Sequence, residues 1–296
     1  MLGFLFGLGQ ALSWASTTII LRSLSSELDA FLVNGLRAIA GGVLIVLLVF
    51  LTGATGDYRL LTATRLLYLI GSVAIGGVIG DVFYVSSLKT LGVSRAFPIT
   101  NSYPLFTILF SALFLDEQIG WTVIAGAVLV MGGVYLLARP RGRVEDVNGL
   151  ALSKARLIKG TLQALITAAL WGINTVILSV GVKGINGAVA LSVRVPAVVL
   201  LCLVAATVRG KLGSVRRLKK GTILRLIGSG VLGWGISGWL YTRTLQLAGP
   251  SRAAIFGATA PLFAVPLSMI FLHEKPTRYV LVGTVLSALG IVLVVL

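Results

Sequence analysis

Charged residues are scarce in this 296-residue sequence, and acidic residues are the scarcest. Nine Asp and Glu stand against 25 Lys and Arg, and all charged residues together make up 11% of the chain. A soluble fold of this size needs about a quarter of its residues charged to cover its surface. Because hydrophobic residues reach 57% and the mean hydropathy is +1.01, the composition excludes an ordinary soluble domain and indicates a surface that faces lipid.

Cysteine and histidine are nearly absent. The sole cysteine, Cys202, lies in an apolar run, which excludes an internal disulfide and a thiolate metal cluster. The sole histidine, His273, stands beside Glu274 and forms no Ser-His, Cys-His or paired-carboxylate arrangement. We therefore expect no enzyme activity, no cofactor and no metal site.

Long hydrophobic runs are what the sequence has in place of charge. A helix of about 20 apolar residues crosses a bilayer, and the sequence contains ten such runs. They cover residues 3–21, 31–51, 66–88, 96–115 and 121–137, then 160–178, 188–208, 223–245, 253–272 and 279–296. The first run lacks the basic start of a signal peptide, so we expect it to be a retained span.

The second half of the sequence repeats the first. A shift of 157 residues, without a gap, superposes Pro104-Leu105-Phe106 on Pro261-Leu262-Phe263. The same shift aligns Trp14 with Trp171, Arg37 with Arg194, Tyr84 with Tyr241, Glu117 with Glu274 and Gly133 with Gly290. A single register of this kind indicates a duplication.

An odd number of spans in each copy inverts the second copy in the membrane. The predicted fold is therefore an all-α integral membrane protein with ten transmembrane helices in two inverted-topology five-helix repeats. The first repeat covers residues 1–139 and the second covers residues 158–296, and residues 140–157 form a basic linker loop.

Basic residues predict the orientation. Most Lys and Arg lie in the linker and in the loops after spans 1, 3, 7 and 9. Because basic loops stay on the cytoplasmic side, linker 140–157 is predicted to be cytoplasmic and both termini extracellular. The net charge of +16 suits anionic lipid headgroups, and nucleic acid is not an expected partner.

Few charged residues lie deep inside the spans, where each costs about 2.5–3.5 kcal/mol. Arg37 and Arg194 occupy equivalent positions, and Asp81 is the natural ion-pair partner of Arg37. The position equivalent to Asp81 is Gly238, so either an anionic substrate group or Glu117 remains as a partner for Arg194. Asp81 is the only acidic residue well inside a span, and the hypothesis of proton coupling rests on it.

Proline and polar residues predict a binding site at mid-membrane depth. Pro98 and Pro104 in span 4, and Pro261 and Pro266 in span 9, are expected to bend or break the helices and free carbonyl groups for a ligand. The other residues expected to line a cavity with Arg37, Asp81 and Arg194 are Trp14, Asn34, Tyr84, Thr100, Asn101, Tyr103, Trp171, Asn174, Trp234, Trp239 and Tyr241. Packing is the alternative role for each of these.

The whole pattern resembles the EamA-like permeases of the drug/metabolite transporter superfamily, across essentially the whole chain. The resemblance rests on the doubled ten-span layout, on Arg37 and Arg194, on Pro-Leu-Phe in spans 4 and 9, and on a Glu before each Gly-rich last span (residues 115–137, LDEQIGWTVIAGAVLVMGGVYLL, and 272–295, LHEKPTRYVLVGTVLSALGIVLVV). Similar permeases often carry basic termini, whereas this chain has apolar ends and a basic linker.

The resemblance implies an exporter or importer of small metabolites in the cell membrane, such as amino acids, nucleobases, sugar derivatives or cationic drugs. With the inverted repeats, it predicts a secondary active transporter that works by alternating access. The alternatives are a passive facilitator or channel and a structural membrane subunit. The substrate, the direction of transport, the coupling ion and the choice between monomer and homodimer stay open.

Overall fold

The computed structural model describes residues 1–25, 27–92, 96, 99–137, 153–260, 262–263 and 278–296. These residues form helices and short connections, and they contain no β-strand. Pro98, Pro261, Pro266, His273, Glu274 and most of the predicted linker lie outside the described residues. The prediction of an all-helical fold is confirmed for the part of the chain that is described.

The helices follow the predicted hydrophobic runs. In the first half they are α1 (Leu2–Ser25), α2 (Ala30–Leu51), α3 (Ala63–Leu91), α4 (Tyr103–Phe114) and α5 (Trp121–Leu137). In the second half they are α6 (Lys154–Gly181), α7 (Gly187–Val208), α8 (Lys220–Ala248), α9 (Pro250–Gly257) and α10 (Arg278–Val295). Short 3₁₀ helices, Ala54–Leu60 and Leu212–Arg217, precede α3 and α8. Helix α6 begins at Lys154, inside the interval assigned to the linker loop.

Six helices among the described residues are long and apolar enough to cross a membrane, namely α1, α2, α3, α6, α7 and α8. Helices α4, α5 and α10 are shorter and also apolar. Large apolar side chains such as Val43, Leu67 and Leu224 are exposed on the outside of the bundle. A continuous exposed apolar surface of this kind is suited to lipid contact.

Equivalent residues begin and end equivalent helices. Asp29 caps α2 and Asn186 caps α7, and each side chain accepts a hydrogen bond from the backbone N–H two residues further on. Such a cap satisfies a donor that the first helical turn leaves free. Gly92 (φ 71°) ends α3 and Gly249 (φ 81°) ends α8, in a left-handed conformation that glycine adopts without strain. The duplication therefore extends to the local conformations of the backbone.

Both long third helices of the repeats contain a π-helical segment. It covers Val73–Gly80 in α3 and Val231–Ser237 in α8, and both segments are rich in glycine. A π turn contains more residues than an α turn and frequently occurs at functional sites. The two segments lie in equivalent parts of the repeats.

The fourth helix of each repeat is interrupted by a turn. Residues 101–102 form a turn before α4, and residues 258–259 form a turn after α9. In both turns a hydroxyl side chain donates to the carbonyl oxygen three residues earlier, from Ser102 to Ile99 (2.7 Å) and from Thr259 to Phe256 (2.6 Å). Pro104 follows the first turn at the start of α4, where its missing N–H costs little. The interruption is therefore part of the duplicated pattern.

Helices α5 and α10 pack tightly against each other through glycine. A methyl group added at Gly126 would lie 2.7 Å from the carbonyl oxygen of Gly290, and one added at Gly133 would lie 2.5 Å from that of Gly283. Residue numbers rise along one helix while they fall along the other, so the helices run antiparallel. Because 126 is equivalent to 283 and 133 to 290, the two contacts are related by a pseudo-twofold axis between the helices.

Helices α2 and α7 pack in the same antiparallel manner. Gly35 faces Cys202, and Gly42 faces Val195, so residue numbers again rise on one helix as they fall on the other. Cys202 is buried in this contact, where it serves as a small apolar side chain.

The α5–α10 contact gives a prediction for stability. We expect Gly133→Ala to lower the free energy of unfolding by about 1–3 kcal/mol, because the added methyl group would overlap the backbone of α10. The matched control is Gly132→Ala, since a methyl group at Gly132 meets nothing within 4 Å. Unfolding of the detergent-solubilised variants in SDS measures both, and equal stability of the two variants would contradict the close contact.

Candidate functional site

A cavity of about 140 Å³ lies between the two halves of the chain. By volume it has room for about five water molecules. Nine residues that the sequence predicted as site residues line it: Trp14, Arg37, Asp81, Asn101, Tyr103, Trp171, Asn174, Arg194 and Tyr241. Trp234, which was also expected there, lines it as well. The structure therefore brings together groups from both repeats in one cavity.

Arg37 and Asp81 form the predicted ion pair in the wall of this cavity. Arg37 Nη2 lies 2.7 Å from Asp81 Oδ2, and the arginine side chain is 1% exposed. The other carboxylate oxygen, Oδ1, accepts a hydrogen bond from Trp171 Nε1 at 3.0 Å. Both oxygens of the buried carboxylate are thus occupied, one by each half of the chain.

Asn34 supports the ion pair from behind the cavity. Its Oδ1 accepts hydrogen bonds from Arg37 Nε (3.1 Å) and from Trp234 Nε1 (3.2 Å), and its amide nitrogen donates to the carbonyl oxygen of Gly77. Asn34 is fully buried and does not line the cavity, so it fixes the orientation of groups that do.

Arg194 has no carboxylate partner among the described residues. Its Nη2 donates to Asn174 Oδ1 at 3.0 Å. Glu117, the alternative partner considered from the sequence, instead accepts a hydrogen bond from Ser251 Oγ at 2.7 Å. The helix before it ends at Phe114, so Glu117 lies in the connection to α5 rather than on a helix beside Arg194.

Aromatic rings from both repeats meet at the centre. Trp14 and Trp171, which are equivalent residues, contact each other edge to face at 5.8 Å. Tyr84 packs on both rings and is fully buried, so it lies beneath the cavity rather than in its lining. Its hydroxyl donates to Thr18, and the equivalent Tyr241 is hydrogen-bonded to Thr175. The cavity therefore lies close to the pseudo-twofold axis that relates the two repeats.

The residues that line the cavity differ from the prediction in two ways. Trp239 does not line the cavity and packs against Phe6 (5.9 Å). Gln10, Thr175 and Ser237 line it although the sequence did not single them out. Each of these three lies four residues from Trp14, Trp171 or Tyr241, so the helical period counted from the aromatic residues could have found them.

Two polar contacts join the repeats away from the cavity. Glu27, between α1 and α2, pairs with Arg225 at 2.7 Å and accepts a hydrogen bond from Thr222 (2.8 Å) at the start of α8. The corresponding elements of the other repeat are joined by different residues, since Arg65 at the start of α3 donates to the carbonyl oxygen of Lys183 after α6 (2.9 Å). We call these contacts the Glu27 latch and the Arg65 latch.

Hydrogen bonds from Thr222 and Arg225 hold the pKa of Glu27 below its ordinary value. A carboxylate with a lowered pKa contributes stability above its unfolded pKa, and this contribution is lost as the pH falls through the folded value. The Glu27 latch is therefore intact at neutral pH. Because both side chains are partly exposed, its contribution is modest.

The described residues contain no group of three or more His, Cys, Asp or Glu that could hold a metal ion. The chemistry that this lining offers is recognition: guanidinium groups, amides and hydroxyls for polar groups of a solute, and aromatic rings for its apolar parts.

Comparisons with known proteins point to a transporter family and show a shared fold. The model of the EamA-like transporter family matches residues 1–139 and 158–296. An uncharacterized transporter of Archaeoglobus fulgidus is 26% identical, over 100% of this chain and 99% of its own length. A Listeria innocua protein with a sugar-uptake name is 26% identical over 73% of this chain and 74% of its own. One crystal structure superposes with a TM-score of 0.76 and 18% identity, covering 98% of this chain and 95% of that chain, which shows the shared fold.

The buried ion pair gives a prediction for stability. We expect Asp81→Ala to lower the free energy of unfolding by about 3–5 kcal/mol, because it leaves the Arg37 guanidinium buried without a counter-charge. The double variant Arg37→Met/Asp81→Ala should recover most of this loss, since both charges are gone. SDS unfolding of wild type, both single variants and the double variant measures the coupling, and additive effects would contradict the pair.

Proposed function

The chain belongs to the EamA-like transporter family, and we propose that it is a secondary transporter that carries a small polar solute through the central cavity by alternating access. As a member of this family it is a multi-pass membrane protein that transports small molecules. The match to the family model confirms the family that the sequence analysis predicted.

The observation that carries the proposal is the lining of the cavity by equivalent residues of both halves. Trp14 and Trp171, and Arg37 and Arg194, face the same space. In transporters built from inverted repeats, the substrate site lies between the repeats near the middle of the bilayer. A site shared in this way opens to one side or the other when the repeats rock against each other.

Antiparallel packing of equivalent helices supports an inverted arrangement of two five-helix repeats. Helices α5 and α10 occupy the same place in each half and run in opposite directions, and so do α2 and α7. In this proposal residues 1–139 and 158–296 are the two repeats and residues 140–157 connect them. The proposal has the basic linker in the cytoplasm and both termini outside, because basic loops stay on the cytoplasmic side.

The interruptions in the helices supply places where the conformation can change. The π segments in α3 and α8 and the turns beside α4 and α9 surround the cavity from both repeats. The Glu27 latch and the Arg65 latch lie at opposite ends of the bundle, because α2 separates the α1–α2 connection from the start of α3. Opening the cavity to one side would release the latch on that side.

Proton coupling through Asp81 belongs to the same proposal. A proton on Asp81 would weaken its attraction to Arg37 and would also weaken the hydrogen bond from Trp171 that joins the two halves. Protonation would thereby change the balance between the two open states.

Flux through reconstituted liposomes tests the function. We expect liposomes that contain the purified protein and a mixture of small metabolites to lose one compound class selectively and saturably, followed by mass spectrometry. An imposed pH gradient should change the rate for wild type, and Asp81→Asn should remove that dependence. Empty liposomes are the control. Flux that rises linearly with concentration would favour a channel, and no selective flux would contradict transport.

Cross-linking of the Glu27 latch tests alternating access. In a Cys202→Ala background, joining Glu27→Cys to Arg225→Cys with a short bismaleimide should abolish most of the flux, because the latch can no longer open. The matched control joins Lys220→Cys to Leu224→Cys within α8 and should leave the flux unchanged. Undiminished flux after complete cross-linking of the latch would contradict the mechanism.

The single variant Glu27→Cys also reports the orientation. If the α1–α2 connection is cytoplasmic, a membrane-impermeant maleimide labels it only after the cells are broken, whereas labelling in intact cells would reverse the proposed orientation.

A further inference from the structure

An apolar groove of about 460 Å³ lies on the outside of the bundle, between α2 and α7. Its lining side chains Ile39, Leu200 and Val204 are 47%, 65% and 53% exposed, so the groove opens toward lipid. It forms where Gly42 has no side chain on α2 and where Pro196 removes a backbone donor from the interior of α7. None of its lining residues lines the central cavity, so the two sites are separate.

One end of the groove is formed by equivalent residues of the two repeats. Three such pairs line it: Ala38 and Val195, Ile39 and Pro196, and Gly42 and Val199. Residues that face their own equivalents lie near the pseudo-twofold axis, which is in the plane of the membrane for inverted repeats. In the proposed arrangement the groove therefore begins near the middle of the bilayer.

From that point the groove continues along α7 and not along α2. Its remaining lining residues are Leu200, Leu203, Val204 and Thr207, whereas their equivalents Val43, Val46, Leu47 and Phe50 do not line it. Helix α7 rises about 18 Å from Val195 to Thr207, at about 1.5 Å per residue. The hydrocarbon thickness of one leaflet is about 15 Å. The groove is thus as long as one leaflet is deep.

An arginine stands at the outer end of this groove. Arg209 follows the last lining residue, Thr207, by two positions, and its side chain is 55% exposed. Its guanidinium group lies over the ring of Phe31, 5.4 Å from the ring centre. Its Nη2 is 3.7 Å from Asp29 Oδ2, which is too long for a hydrogen bond. A closer anionic acceptor at the membrane surface would therefore bind this guanidinium more strongly.

Other basic residues surround the same end of the bundle. The exposed side chains of Lys211, Lys219 and Lys220 follow α7 and begin α8. The equivalents of these three and of Arg209 at the opposite end are all uncharged, namely Ala54, Thr62, Ala63 and Thr52. Of the acidic residues described at the basic end, Asp29 caps α2 and Glu27 pairs with Arg225. The groove and the positive charge therefore depart from the pseudo-symmetry in the same direction.

We propose that this groove binds an anionic phospholipid, with one acyl chain along α7 between Val195 and Thr207 and the phosphate group on Arg209. Basic sites between transmembrane helices on the cytoplasmic side bind anionic headgroups, and the proposed orientation puts Arg209 on that side. The groove supplies the apolar contact, and the nearby lysines add attraction for the headgroup.

A second copy of the chain is a less suitable occupant. A symmetric dimer in a membrane has its axis along the membrane normal, so each basic end would lie beside the same basic end of the other copy. Like charges at that depth repel each other, whereas an anionic headgroup neutralises them. The inference does not depend on the proposed transport function, because it concerns a different surface of the molecule.

Native mass spectrometry of the purified, delipidated full-length protein measures the binding. The probes are phosphatidylglycerol and phosphatidylcholine with identical acyl chains. We expect the first phosphatidylglycerol to bind at least about fivefold more tightly, and Arg209→Gln to weaken its binding about fivefold while phosphatidylcholine binding stays unchanged. Arg59→Gln, which removes an exposed arginine at the opposite end, is the matched control and should change neither.

Filling the groove tests the position of the acyl chain. Val204→Trp places a large side chain in the groove and should weaken binding of both lipids at least about fivefold, because the chain loses apolar contact. The matched control is Leu47→Trp, at the equivalent position outside the groove, where the residue is 52% exposed. SDS unfolding checks that both variants are folded.

Equal binding of the two lipids to wild type, unchanged phosphatidylglycerol binding in Arg209→Gln, or equal effects of the two tryptophan variants would overturn the inference. Displacement of the lipid by glycerol 3-phosphate would show a site for free phosphate and would also overturn it. A dimer that Val204→Trp dissociates without any change in lipid binding would assign the groove to a second copy instead. Each of these failures would leave the proposed transport, which the liposome flux tests, standing.

Discussion

A guanidinium group at membrane depth needs a counter-charge or a polar partner, and the pairing of Arg37 with Asp81 meets that need. The pair joins α2 to α3, and the hydrogen bond from Trp171 extends it to α6 in the other half. Asn34 adds α8 through Trp234. Four of the helices that line the cavity, α2, α3, α6 and α8, are therefore held by one polar network.

The two repeats are alike in their backbone and unlike in the cavity. Caps, left-handed glycines, π segments and helix interruptions recur at equivalent positions. Two of the differences lie in the polar network, where Asp81 corresponds to Gly238, and Gly77 to Trp234. The repeats thus share the backbone features that shape the bundle, while differences at a few positions determine which charges and polar groups line the cavity.

The lengths of the hydrophobic runs predicted nearly every helix, because a helix needs about 20 apolar residues to cross lipid. The 157-residue shift predicted which residues of the two repeats correspond. The ion pair of Arg37 and Asp81 could also be predicted, since the two residues lie at the same depth on neighbouring spans. Rotation about the helix axes was harder to predict, because in a bundle of apolar helices most faces are apolar. Trp239 illustrates this: it follows the π segment of α8, which breaks the α-helical period, and it points away from the cavity while Trp234 lines it.

The contact between α5 and α10 has a consequence for the ancestry of the chain. A surface that packs on its own equivalent through Gly126, Gly133, Gly283 and Gly290 is self-complementary, so it would serve equally between two separate copies of a five-helix protein. Under the proposed inverted arrangement, such an unfused ancestor would have had to insert into the membrane in both orientations. Fusion would then have given each half one orientation and allowed one half to have a carboxylate at a position where the other has glycine.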